Sequence, residues 1–167
     1  MHKPVLNALV LADHVYRDGA TGKFIICGTI GTFLVGAPPA LEAIANPEPE
    51  KAAETQGPSL RQLHSDEISV VGSTFAYFSL TEVREKIPLE LRYVDLNDNS
   101  VVFLFKFEVE CHDPLAELEW ALILPPLLAP HVGSFALELL CSDEPLGSRR
   151  IIVAPNPSQD NPEERKP

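Results

Sequence analysis

Residues 133–153 constrain the fold more than any other stretch of this chain. Phe135, Leu137 and Leu139 alternate with Ser134, Ala136 and Glu138, the period of a strand with one buried face. Ser142-Asp143-Glu144-Pro145-Leu146-Gly147 carries turn chemistry, and Arg150-Ile151-Ile152-Val153 reads as a second strand. The pair is entered through a Pro/Gly corner, Pro130-His131-Val132-Gly133. An antiparallel pair entered this way suits the closing hairpin of a β-sandwich.

The same device recurs upstream. Residues 4–12 form a first strand, Asp18-Gly19-Ala20-Thr21-Gly22 a turn, and Lys23 to Ile30 a second strand. Gly28 and Gly31 there mark a bulge or a close backbone approach. Residues 74–80 are apolar on both parities, which predicts a central strand or one shielded on its second face. Leu89, Leu91 and Tyr93 point opposite to Glu90 and Arg92. After a turn at Asp95–Asn99, Phe103, Phe105, Phe107 and Val109 oppose Lys106, Glu108 and Glu110. This alternation is the cleanest in the chain and predicts the middle of the core. Leu118, Trp120, Leu122 and Leu124 repeat it against Glu117 and Glu119, until Pro125, Pro126 and Pro130 end the pattern. About seven to eight strands with short turns give an all-β antiparallel β-sandwich, Ig-like or C2-like in form. At the corner where the Ig tyrosine would be sought, Phe135 has no hydroxyl to donate.

With 167 residues, 45% of them apolar, the chain suits one domain over 4–154 that buries roughly 68–70% of its unfolded surface. Residues 36–66 break the pattern. Pro38, Pro39, Pro47, Pro49 and Pro58 punctuate alanine and glutamate there, and the length exceeds ordinary loops. The stretch reads as a flexible insertion with one short helix near 39–45. Residues 155–167 lack an apolar anchor and read as a disordered tail.

The net charge is −11, and residues 67–154 hold 14 Asp/Glu against 6 Lys/Arg, a net of −8. Unspecific nucleic-acid binding needs the opposite sign, so the acidity reads as a solvated shell. Residues 121–130 are apolar but short and carry three prolines, which argues against membrane insertion. No export signal is visible at the start, and Cys27, Cys111 and Cys141 are odd in number and widely spaced. Reduced thiols in a cytoplasmic protein are the expectation.

Several motifs invite a chemical reading. Gly19-Ala20-Thr21-Gly22-Lys23 has two residues between its glycines and Phe24 after the lysine. A phosphate loop needs four, then Ser or Thr, so a hairpin turn is the reading. Asp95, Asn97, Asp98 and Asn99 offer oxygens to calcium, with Asp143 and Glu144 as partners only if their turn reaches the same end. They are also ordinary turn residues. His2, His14, His64, His112 and His131 show no metal-ligand spacing. Cys111 and His112 are neighbours that a strand would point to opposite faces. His64-Ser65-Asp66 reads as loop composition, since catalytic triads are assembled from separated positions. In Leu124–Pro130, Leu127 and Leu128 are either buried or an exposed patch for a partner, and burial is the reading adopted.

Two stretches together resemble an uncharacterised family of bacterial domains. Asn7-Ala8-Leu9-Val10-Leu11-Ala12-Asp13 with Gly22-Lys23-Phe24-Ile25-Ile26-Cys27-Gly28 is similar to that family's opening strands. Residues 130–139, Glu144-Pro145-Leu146-Gly147 and Arg150–Val153 are similar to its closing hairpin. The resemblance covers 4–35 and 74–153 and implies a compact β-sandwich, with no functional residue to carry over.

The sequence therefore assigns no catalytic, cofactor-binding or metal residue and no cofactor. It favours a non-enzymatic domain acting through an unknown protein partner or self-association. The rival is a calcium- or small-ligand-binding module at the loop ends. An enzyme would require Cys111, His112 or His131 to line one pocket.

Overall fold

A computed structural model describes residues 3–35, 69–71 and 74–156. The readings made above for 36–66 and for residues 157–167 of the tail lie outside the described residues. The first two tail residues are ordered: Pro155, the last of β11, pairs with Val35, and the Asn156 amide donates to the Val35 carbonyl at 2.9 Å. Within them are eleven strands and no helix. The strands are β1 (Val5–Arg17), β2 (Phe24–Thr29), β3 (Thr32–Val35), β4 (Ser69–Val71), β5 (Phe75–Thr81), β6 (Ile87–Asp95), β7 (Ser100–Val109), β8 (Leu118–Ile123), β9 (Leu127–Ala129), β10 (Gly133–Cys141) and β11 (Glu144–Pro155). Sheet I has the order β2-β1-β5-β8, and sheet II the order β3-β11-β10-β6-β7. A small ribbon pairs β4 with β9. The chain is a β-sandwich.

Alternation decides what lies between the sheets. Leu11, Ala76, Phe78 and Leu80 of sheet I meet Leu89, Leu91, Tyr93, Phe135, Leu137, Leu139 and Ile151 of sheet II in one buried cluster. Burying each large side chain there contributes roughly 1.5–3 kcal/mol. Tyr93 stacks on Phe135 at 5.3 Å and on Phe103 at 5.6 Å. The closing hairpin stands as expected but turns more tightly, with Cys141 opposite Glu144. Ser142 and Asp143 both take positive φ, 49° and 67°, which suits the right-handed twist of a two-residue hairpin. A bulge beside Leu139 and Leu140 then absorbs the Pro145–Gly147 irregularity.

Four findings refine the expectation. Three short strands, β3, β4 and β9, add to the long ones that periodicity reveals. One pairing is parallel, β3 with β11. Only Ile30 and Gly31 separate β2 from β3, so the chain changes sheets without a hairpin and is not forced to run antiparallel. β1 continues past Ala12 to Arg17 because its second half pairs with β2, His14 facing Cys27, and so accommodates polar residues.

The fourth is a correction. The phenylalanine row of β7 is not the middle of the core. β7 is an edge strand of sheet II and β8 an edge strand of sheet I. Phe103, Phe107, Leu118 and Leu122 still pack against the core, but Phe105 is 48% and Trp120 37% exposed. An edge strand has a neighbour on one side only, so its inward side chains overhang solvent. The centre belongs to β6, β10 and β5.

Candidate functional site

The outer faces of the two sheets differ in chemistry. On sheet II, Glu90 points outward from β6 with a side chain 10% exposed. Arg92 donates to it from the same strand, and Lys106 reaches it at 3.1 Å from β7. Burial pushes the Glu90 carboxyl up, yet the two cations outweigh that and hold it below the usual range. Lys86 and Glu108 pair at 2.5 Å beside them, and the ammonium is held above its ordinary range by that carboxylate. Glu90, Lys106, Glu108 and Asp143 line a groove of about 450 Å³ with Pro88 and Phe107.

Sheet I has an apolar outer face. Ala12, Val15 and Tyr77 are buried in a second cluster, with Ala8, Val10, Phe24, Ile26, Phe75 and Ala121 packed against it. All nine come from β1, β2, β5 and β8, so among the described residues this cluster draws on sheet I alone. Ala121 and Tyr77 are paired across β8 and β5, and Ile123 is paired with Phe75. Ile123 thus continues the same face and is 74% exposed. Phe24 meets Tyr77 edge-on at 5.7 Å. The Tyr77 hydroxyl donates to Glu119 at 2.5 Å, and burial with this neighbouring carboxylate raises the phenol far above its usual range. Residues 74–80 are apolar on both parities, so a central or shielded strand was legible there, but β1's share of the face was not read from the sequence.

At one end of the sandwich, Val102, Phe103, Pro125, Pro126 and Leu128 enclose an apolar pocket of about 210 Å³. Leu127 is fully buried and Leu128 half-buried, so burial of this line stands, with Leu128 left as a pocket wall.

The motif residues fall as follows. Gly19 to Lys23 lie in the hairpin joining β1 to β2. Asp18 accepts from the Thr21 amide at 2.7 Å and hydroxyl at 2.6 Å, which lowers its carboxyl, and Gly22 takes φ +70°. Asp95 and Asp98 cap their own turn, accepting from the amides of Asn97 and Ser100 at 2.9 Å each. Asp143 and Glu144 lie at the other end of sheet II, because β10 runs antiparallel to β6 with Phe135 opposite Asp95 and Cys141 opposite Leu89. The condition for joining them to the Asp95 turn is not met. No group of three or more His, Cys, Asp or Glu is arranged to hold a metal among the described residues.

Cys111 and His131 also lie apart. β7 runs from Ser100, opposite Asp95, to Val109, opposite Ile87, and Cys111 follows its far end while His131 contacts Asp95. The Cys111 thiol donates to the Asp113 carbonyl at 3.1 Å. Cys27 contacts the Tyr16 hydroxyl at 3.0 Å, which raises that phenol, and Cys141 is buried. All three are free thiols. His64-Ser65-Asp66 lies outside the described residues. Neither the Glu90 cluster nor the Asp95–His131 contact was legible in the sequence, since both depend on pairing between strands distant along the chain.

Comparison with known proteins leaves the chain without an assigned family: no protein-family model and no curated protein matches it.

Proposed function

We propose that the chain is a non-enzymatic β-sandwich interaction domain, which binds another protein or a second copy of itself through the outer face of sheet I. The observation that carries this reading is the cluster around Tyr77, an apolar layer drawn, among the described residues, from that sheet alone and continued by exposed Ile123. Ile123 is 74% exposed and Val10 and Phe75 are half-buried, and exposed apolar side chains grouped on one face mark interaction sites. The connectivity supports an Ig-like variant: β5 and β8 share sheet I while β6, β10 and β11 share sheet II, as the B and E strands and the C, F and G strands do in Ig domains. The free thiols fit the cytoplasmic setting expected from the sequence.

Light scattering and chemical cross-linking of the full chain, with affinity capture from a cell extract, test the reading. Association or capture that Ile123→Asp abolishes, at unchanged thermal stability, supports it. A strictly monomeric chain that retains no protein, or capture indifferent to Ile123→Asp, overturns it. A second reading, a small-ligand module, draws support from the apolar pocket of Phe103, Pro125, Pro126 and Leu128. There the expected ligand is a compact apolar group, read by a rise in melting temperature.

A further inference from the structure

The end of the sandwich that carries Asp95 contains a histidine whose two ring nitrogens both face acceptors. Asp95 closes β6 with a side chain 5% exposed, and its Oδ2 lies 2.5 Å from His131 Nε2. The second ring nitrogen, Nδ1, lies 3.0 Å from the Val132 carbonyl oxygen. A carbonyl and a carboxylate oxygen can only accept, so a ring that satisfies both carries a hydrogen on each nitrogen and is an imidazolium. The ring also stacks on Phe135 at 5.3 Å and 27°. Its space is reserved, since a Cβ on Gly133 would fall 2.9 Å from Nδ1. A backbone bond, Leu96 N–H to the Ser134 carbonyl at 3.0 Å, ties the same two segments nearby.

We propose that His131 is a proton-operated clasp: in its charged form it fastens the β9–β10 corner to the end of β6 through Asp95, and in its neutral form it releases that hold. Neutral imidazole has one N–H and keeps only one of the two bonds. Loss of the Nε2 proton would set a lone pair against a buried carboxylate; loss of the Nδ1 proton would set one against the Val132 carbonyl. Either arrangement leaves a polar group opposed by a like one.

Of the charged groups near the ring, the carboxylates of Asp95 and Asp98 both favour its charged form. β6 supplies Asp95, with the Tyr93 phenol on the same strand, and the following turn supplies Asp98. β10 offers the uncharged Phe135 ring, and Arg150 from β11 donates to Ser134 Oγ at 2.9 Å. The Val132 carbonyl raises the imidazole most. Partial burial opposes it, and Asp95 and Asp98 add to the rise, so the net direction is upward. A folded pKa above the unfolded value gives stability that is complete below about 6.5 and fades as pH rises through the folded pKa.

NMR of the His131 ring in the full chain tests this, titrated from about pH 5 to pH 9 in native buffer and again in urea. His131→Gln, at a half-exposed position, identifies the signal. The expected result is a higher midpoint in the folded chain than in urea, which moves back toward the urea value in Asp95→Asn. A folded midpoint at or below the urea value overturns the proposal. A second reading comes from melting temperature. His131→Gln is expected to melt about 2–4 °C below the wild type near pH 6, with the gap closing by about pH 9. A gap that stays constant with pH makes the ring a packing element only and also overturns the clasp.

Discussion

Both sheets of this sandwich present a row of apolar side chains inward, but the β6–β7 part of sheet II's outer face differs in character from the outer face of sheet I. Sheet II turns out Glu90, Arg92, Lys106, Lys86 and Glu108, which pair among themselves across β6 and β7. Sheet I turns out Val10, Ala12, Phe75, Tyr77 and Ala121. A face that settles its charges internally has little left to offer a partner beyond solvation. On the sheet I face, Ile123 at 74% exposure and half-buried Phe75 retain apolar surface that association would bury. The contrast teaches where the interaction reading is to be tested: on the outer face of sheet I, where apolar side chains stand in place of paired charges.

The contrast can be broken most sharply by truncating a ring on each side of β5. Phe78, fully buried between the sheets, is expected to cost about 3–5 kcal/mol as Phe78→Ala, measured by urea unfolding. Phe75, half-buried on the outer face, is expected to cost about 1–2 kcal/mol as Phe75→Ala, because water already reaches it. Equal costs would mean that the outer layer is already covered in the free chain, and the interaction reading would lose its basis.

Gly28→Ala probes the β1–β2 half of sheet I. Gly28 has φ +65°, and a Cβ there would lie 2.2 Å from Asp13 Oδ2, so a loss of about 1–2 kcal/mol is expected from backbone strain, with more if Asp13 cannot move aside. A wild-type melting temperature would show that this stretch of β2 is not held as described. On the charged face, Glu90→Gln is expected to cost about 1 kcal/mol, since Arg92 and Lys106 are exposed enough to recover water. Its wild-type contribution has a defined pH sense. The lowered carboxyl gives stability present above the ordinary carboxylate range and lost as pH falls through the folded pKa. The stability gap between wild type and Glu90→Gln should therefore shrink on acidification, and a gap that widens would refute the assignment. The smallest stability change belongs to Ile123→Asp, within about 0.5 kcal/mol, although this variant is the one expected to abolish association.

Much of the sandwich was legible before its coordinates. The parity of Leu89, Leu91 and Tyr93, and of Phe135, Leu137 and Leu139, gave the inward face of β6 and β10 correctly. The double apolarity of residues 75–80 marked β5 as central, where it lies between β1 and β8. Phe103 to Phe107 misled because strong alternation reports which side of a strand is apolar, not how many neighbours the strand has. No motif could anticipate the candidate face on sheet I as a surface, because a shielded second face and an uncovered one read alike.

Alternation is a local property of pleated backbone, so the order of residues was enough to set the long strands and the side each would turn inward. Pairing is not local. Which strands became edges, that Lys106 would stand beside Glu90, and that Asp95 would meet His131 followed only when distant segments hydrogen-bonded in one particular order. Side chains point by the geometry of their own strand, but what they meet is chosen by the neighbours that the whole sheet brings.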